Sequence, residues 1–432
     1  MAAASPLTEL SIEAVRDLGG PSWLAEARGA AWERFRSQEL PTEAEEIWRY
    51  SRIDSIELGR FNAPDSATPA SGRAGAEGLS GATAELTDRA ATIVVTDGVV
   101  TEVSVEPAAE RAGLRVRPLR RVEASDAAGL GAVAGSADAF VDLSTSLTAD
   151  GLLVELASGA VVTDPVVVIH HVTAPGGAIG LRTIVRTGTN SQGSVVEELR
   201  SVDESVLVLP VVELDLEEGS NLDYASVQAL GPQAWQVGYQ ASRLGRDASL
   251  RSLVVALGGY YARVRTDSRL VDTGGSSRLL ALYFGDGDQM HDFRTLQEHV
   301  APKTTSDLLF KGAVKDTSHS VYSGLIRVRP GAAGTNAFQT NRNLVLTEGA
   351  TAWSVPNLEI EENDVRCSHA SAVGPVDEEQ MYYLESRGIR PDDARRLIVI
   401  GFFQDLLRGA PVPALHGALR RMVVAKLIGA AG

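Results

Sequence analysis

Two hydrophobic periodicities divide this chain. Near both ends apolar residues recur at helical spacing, and between them they recur in short runs bounded by small or acidic turn residues. At the N-terminal end Pro21-Ser22 predicts a helix start, with Trp23, Ala27, Ala30, Ala31 and Phe35 near one stripe. Thr42-Glu43-Ala44-Glu45 has the form of a capping box, in which a hydroxyl and a carboxylate three residues on satisfy free amides reciprocally. The helix it predicts carries Ile47, Trp48 and Tyr50. Residues 1–62 therefore read as a helical region that packs, or whose aromatics form a partner surface. Residues 63–90 shift to Ala, Gly, Ser, Thr and Pro, with few large apolar side chains, and read as a flexible linker.

From Ala91 the period changes. Ala91-Thr92-Ile93-Val94-Val95 runs straight into Asp97-Gly98, a hairpin-type turn. After a mixed section to about Ser146 come Leu152–Leu156, Val161-Val162 and Val166–Ile169, continuous runs that suggest strands covered on both sides. A turn pattern then repeats at Gly219-Ser220, Asp247-Ala248 and Gly275-Ser276, spaced 28 residues apart, with looser copies at Gly193-Ser194 and Gly349-Ala350. Regular strands with small residues at the corners predict stacked coils, a parallel β-helix or other β-solenoid, over 91–375. An antiparallel sandwich or meander is the alternative.

Helical signals return over 376–432. Asp377-Glu378-Glu379-Gln380 opens a helix, Arg387-Gly388 closes it, and Arg390-Pro391-Asp392-Asp393 opens another. From Arg395 to Leu407 that helix is apolar nearly all round, so it must be covered on both sides. Pro411 and Pro413 break it, and a final helix runs from Leu415 to Ile428. The chain is thus mainly β, with helical regions at both ends.

Composition narrows the function. With 44% hydrophobic residues but only 5% aromatic, the core is built of small and branched aliphatics. A net charge of −16 lacks the basic footprint that nucleic acid requires. A single cysteine excludes an internal disulfide framework and fits a reducing cytoplasm. The chain shows no apolar run near 18 residues and no charged-then-apolar leader, so a soluble cytoplasmic protein without a membrane partner is expected.

The dense chemistry lies between His299 and Gly374. Cys367 is two residues before His369, and in a strand such residues share a face. A thiol and an imidazole side by side bind iron, zinc or copper, or act as nucleophile and base. A buried Cys packing as a small hydrophobe and a hydrogen-bonded His form the bland alternative. As a metal site the pair supplies two of about four ligands, the others coming from elsewhere or from another chain. The acidic loop Gly285–Asp292, with His291, lacks the ligand spacing of a calcium loop and reads as a solvated turn. His170-His171 reads as structural. Phosphate-loop, dinucleotide and nucleophile-elbow patterns are absent, so ATP is not expected to be hydrolysed by this chain itself.

An ordered set of residues carries a resemblance. His299-x-x-Pro302, Ser306, Lys311-Gly312, Asp316-x-Ser318-x-Ser320, Gly324, Gln339-x-Asn341-x-Asn343-Leu344, Pro356-x-Leu358-Glu359-Ile360 and Asp364-Val365-x-Cys367-Ser368-His369 resemble the SufB/SufD family of iron–sulfur cluster assembly scaffolds. Tyr382-Tyr383-Leu384-x-Ser386-Arg387-Gly388-Ile389 and Glu46-x-Trp48-Arg49-Tyr50 extend the likeness. The single cysteine and the Cys-Ser-His segment are closer to the SufD branch than to SufB. The resemblance implies a right-handed parallel β-helix flanked by helical domains, with pairing to SufB through the end of the β-helix. It implies binding of the ATPase SufC by the C-terminal helices, placed here on Arg395–Leu407, and a possible homodimer when SufB is missing. It implies a non-enzymatic scaffold holding a transient iron–sulfur cluster through His369, with Cys367 as a companion, and with ATP used only by the partner. Reduced flavin is associated with such complexes, and no residue here is assigned to it. The chain departs from the family's Ser-His-Gly at Ala370, where a glycine-dependent turn would re-aim His369. Two alternatives accompany this reading: a solenoid enzyme acting on polysaccharide through stacked carboxylates, and a purely structural subunit of the same assembly.

Overall fold

The computed structural model describes residues 10–63, 81–126 and 129–429. Its centre is a β-solenoid of about eight turns. Each turn gives one strand to a ten-stranded wall and one to a nine-stranded wall, so strands consecutive in sequence alternate between walls. Equivalent strands of successive turns pair in parallel: Ser249–Ala256 lies in register between Asn221–Ala229 and Ser276–Gly285. The hairpin at Asp97-Gly98 is present, joining the antiparallel strands Ala91–Thr96 and Val99–Val105, and both turn residues have positive φ.

The corners explain why the turns stack. Asn190, Gly219, Asp247, Gly274, Lys303 and Gly334 all have φ between 52° and 79°. The N–H of Asn190 donates to the Glu218 carbonyl, that of Gly219 to Arg246, that of Asp247 to Thr273, and those of Lys303 and Gly334 to Ala333 and Asp364. Five of these six corner amides thus dock on the chain at the corner one turn further on. The third corner falls on Gly274, one residue before the expected Gly275. The repeat is not fixed at 28 residues either: it is 28 between Asp223 and Arg251 and 31 between Phe310 and Asn341.

Alternate residues point into the lumen. In its N-terminal half the lumen is aliphatic, built on Val166, Val168, Val195, Leu214, Leu222 and Leu250. In its C-terminal half it becomes aromatic, with Tyr283, Phe293, Phe310 and Tyr322 in successive ring contact at 4.6, 5.7 and 5.5 Å.

The helices cover the outer walls. Val399, Phe403 and Leu406 of the helix Pro391–Arg408 and Leu419 of the helix His416–Ile428 pack with Val167, Val255 and Leu282 of the ten-stranded wall. Lys311 Nζ pins the first helix by donating to Asp405 Oδ1 at 2.5 Å and to the Phe402 carbonyl at 2.7 Å. The nine-stranded wall is covered from the N-terminal side by the helices Ser22–Ser37 and Ala139–Ser146. The second of these is buried throughout and lies in the mixed section where no element was expected.

Two expectations in the N-terminal region are corrected. The buried stripe of Ser22–Ser37 is Leu24, Arg28, Ala31, Trp32 and Phe35, rotated from the one expected because Trp23 and Ala27 are only half-buried and Ala30 is exposed. The capping-box region opens only the 3₁₀ turn Glu46–Trp48, although Thr42 N–H does donate to Glu45 Oε1 at 3.2 Å. Tertiary contacts override helix propensity here, because the segment lies along the wall as a strap. Arg263 stacks on Trp48 at 3.6 Å and donates to the Ile47 carbonyl, Arg294 donates to the Arg49 carbonyl, and Tyr50 stacks on Trp353. The two arginines converge on the buried Asp292, which accepts from Arg263 Nη1 at 2.7 Å, Arg294 Nε at 2.5 Å and Tyr261 Oη at 2.8 Å.

Most of the expected linker, 64–80, lies outside the described residues. Its described end is packed: Ala82 and Leu86 are buried, and the amides of Ala82 and Thr83 donate to the buried Glu198 carboxylate. Among the described residues no helix is long and apolar enough to cross a membrane.

Candidate functional site

The last turn consists of the strands Thr351–Ile360 and Val365–Gly374. Each pairs on one side only, with His319–Val328 and Thr335–Val345 respectively, so the solenoid ends in two bare strand edges. The register fixes where side chains point. Ala337, Gln339, Asn341 and Asn343 are buried in the lumen, and their partners are Cys367, His369, Ser371 and Val373. Those four therefore continue the inward columns into a turn beyond which no described strand pairs. On the opposite strand Ser354, Pro356, Leu358 and Ile360 stand over Tyr322, Gly324, Ile326 and Val328 in the same way.

Cys367 and His369 thus share a face, as their spacing requires, and their surroundings differ. Cys367 is half-buried against Ile326, Val328 and Ala337. Burial pushes its thiol up, which leaves less thiolate at neutral pH and makes it a poorer ligand and nucleophile. The His369 ring is exposed, and no described residue hydrogen-bonds to it. Ala370 is not among the positive-φ residues, and the strand runs through it without a turn. His369 consequently stands as an ordinary strand residue would. Beside it Ser371 Oγ donates to Ser354 Oγ at 2.7 Å, tying the two edge strands together.

The floor beneath this end is polar and fully buried. Tyr283 Oη donates to Asn343 Oδ1 at 2.7 Å and accepts from Asn341 Nδ2 at 2.9 Å; Asn343 Nδ2 donates to Asn341 Oδ1 at 2.7 Å. Gly312 admits the Tyr283 ring, since a Cβ there would lie 1.9 Å from it. This floor was not expected from the sequence. Its signal was present in Gln339-x-Asn341-x-Asn343, three amides at strand spacing on one face.

The other candidate chemistry is spent on structure. His170 Nε2 lies 2.9 Å from Glu197 Oε2, both buried. His299 bridges Thr304 and Ser306 at 2.7 and 2.8 Å, and burial pushes it down to about 4. In the acidic loop, Gly287-Asp288 form the expected solvated turn, while Asp286 and Gln289 on either side accept from Lys426 of the last helix and anchor it. Burial lowers His291 to about 3. Outer-wall carboxylates are tied to arginines of adjacent turns, as at Asp223–Arg251, Asp215–Arg243 and Glu359–Arg327. Among the described residues no three His, Cys, Asp or Glu side chains gather where they could hold a metal ion. A metal bound at His369 would therefore draw most of its ligands from outside the described residues.

Residues 170–402 match the family model for the SUF system FeS cluster assembly SufBD core domain. Over 184 residues the chain is 45% identical to an iron–sulfur cluster assembly SufBD family protein of Mycobacterium leprae, covering 41% of this chain and 47% of that one. It is 27% identical over 275 residues to the iron–sulfur cluster assembly protein SufD of Escherichia coli, covering 62% and 65%. With SufD of Bacillus subtilis it shares 35% identity over 143 residues, a third of each chain. The chain thus spans about half the length of the first of these relatives.

Proposed function

Since the chain belongs to the SufBD family of the SUF iron–sulfur cluster assembly system, we propose that it is a SufD-type scaffold subunit whose open solenoid end meets SufB and helps to hold a nascent cluster. The observation that carries this reading is His369, exposed and with no hydrogen bond from any described residue, on the last described turn. An imidazole so placed offers a nitrogen ligand to iron, a metal that accepts imidazole as well as thiolate. The bare edges offer backbone groups to a partner's strands, and the exposed Leu358, Ile360 and Val373 offer apolar area. Cys367, half-buried and held as a thiol, is the lesser companion. Without SufB the same end would pair with a second copy.

The C-terminal helices present the surface for SufC. The helix Pro391–Arg408 buries one side on the solenoid and leaves Leu397 half exposed, while Tyr382 and Tyr383 of the helix Glu378–Ser386 are largely exposed. The chain itself catalyses nothing in this scheme. SufC hydrolyses ATP, the subunits move, and the interface admits iron and sulfide as cargo. The test is His369→Ala in the complex reconstituted with SufB and SufC, with iron content and visible absorption as readouts. Cluster yield should fall severely while the complex still forms. Undiminished assembly would refute a direct role and leave the chain a structural subunit.

A further inference from the structure

We propose that Gln339 is a positioning residue for His369, with Tyr322 as its support; the inference rests on the cluster-holding role proposed for that histidine. Gln339 is the register partner of His369, one turn inward and on the same lumen face, so its amide is the layer directly beneath the imidazole. It is 1% exposed, and both ends of the amide are engaged. Oε1 accepts from Tyr322 Oη at 3.0 Å, and Nε2 donates to the Asn357 carbonyl at 3.1 Å. Those two bonds fix which end of the amide faces which wall.

The second bond gives Gln339 its leverage. Thr351–Ile360 and Val365–Gly374 each have a neighbouring strand on one side only, so their separation across the lumen is not set by a further turn. Among the described residues, two side-chain bonds reach across the lumen onto Thr351–Ile360. One is Ser371 to Ser354, which is exposed to competing water. The other is Gln339 to Asn357, which is buried. The strand facing His369 takes its height from pairing with His319–Val328, and Gln339 adds the buried tie across the lumen that sets its distance. Its own orientation is fixed in turn by Tyr322, which packs edge-on against Phe310 and lies 3.3 Å from Thr295 Oγ1. The site has no room for a side chain at Gly324, where a Cβ would lie 2.1 Å from Tyr322 Oη and 2.5 Å from Gln339 Oε1. A ligand shared between two chains tolerates little error in the place of either donor, and outer groups that orient a ligand commonly carry about ten- to a hundredfold in metal affinity.

The experiment compares wild type, Gln339→Met, Tyr322→Phe and His369→Ala, each in the complete complex. Met keeps the length of Gln without its hydrogen bonds. Ferrous iron retained in the presence of sulfide is titrated anaerobically, and the His369 ring nitrogens are followed by NMR in the chain alone. Gln339→Met should assemble normally, weaken iron retention about tenfold or more and shift the His369 ring resonances. Tyr322→Phe should move both readouts in the same direction by less. Wild-type iron retention and ring resonances in Gln339→Met, with loss in His369→Ala, would overturn the positioning role alone. Wild-type retention in His369→Ala would overturn the cluster-holding reading and this inference with it. Should Gln339→Met fail to fold, Tyr322→Phe decides: unchanged retention and resonances there would overturn the inference.

Discussion

Replacing Asp292 by Asn tests what holds the N-terminal strap to the solenoid. The carboxylate is fully buried and accepts three hydrogen bonds, two of them from guanidinium groups that are themselves buried. Asn keeps the shape but removes the charge, and turns one acceptor into a donor facing a cation. Breaking a buried pair by neutralising one member costs about 3–5 kcal/mol, because the remaining charge has no water to return to. Against a typical folding stability of about 5–15 kcal/mol that is a large share. The strap should suffer first, since Arg263 and Arg294 also bind the Ile47 and Arg49 carbonyls. Urea unfolding followed by tryptophan fluorescence should show the loss, and trypsin should cut after Arg49 or Arg52 faster than in wild type. The pH dependence carries a sign. Burial pushes Asp292 up, but Arg263 and Arg294 outweigh it and hold the carboxyl below the usual carboxylate range. Its stabilisation is therefore complete above the unfolded value near 4 and is lost as pH falls through the lower folded value. The Asn variant should lack that part of the acid transition. A variant within about 0.5 kcal/mol of wild type, with unchanged cleavage, would refute the assignment of Asp292 as the hub.

Three further outcomes follow from buried groups. His299 is held neutral by burial, at about 4, so the unfolded chain takes up its proton first; stability should fall by about 3 kcal/mol between pH 6.5 and 4, and His299→Gln should flatten that span in urea titrations. Gly312→Ala drives a methyl into the Tyr283 ring and should cost about 1–3 kcal/mol, read as a lower urea midpoint. Lys311→Met keeps the buried stem but loses the bonds to Asp405 and the Phe402 carbonyl; hydrogen exchange should rise in Pro391–Arg408 and stay unchanged in the strands it covers.

The solenoid was legible because its signals are local. Corner residues must adopt positive φ once per turn, which restricts them mostly to Gly, Asn and Asp, and that restriction repeats visibly along the sequence. Val166–Val172 read as a doubly covered strand because its two faces serve different cores, Val166 and Val168 the lumen and Val167 and Ile169 the helical layer. The strap was misread for the opposite reason. Glu46–Trp48 carries helix-favouring residues and half of a capping box, yet its conformation is decided by arginines more than 200 residues away in sequence. The polar floor was missed because Gln339, Asn341 and Asn343 would ordinarily mark a solvated face; only the register shows that this face is the inner one. The Cys367–His369 juxtaposition was legible from spacing alone, whereas the difference in their burial depends on the turn below.

The two ends of the solenoid treat the hazard of an open strand edge in opposite ways. At the N-terminal end the edge strands are Val99–Val105, with Thr101, Glu102, Val103 and Ser104 turned to solvent, and Leu114–Pro118, which carries Arg115, Arg117 and a proline. Charge and proline on an edge discourage pairing with another chain. At the C-terminal end both edge strands are ten residues long, and Val355, Leu358, Ile360 and Val373 are each exposed by more than a third. Pro356 is the only proline there, and it removes one donor from the middle of one edge. A chain under pressure merely to stay soluble would protect both ends alike. The C-terminal edges carry Glu359 and Arg366 but expose more large apolar side chains than the N-terminal ones, which supports a second polypeptide as the next turn, with His369 on the surface that the second chain would cover.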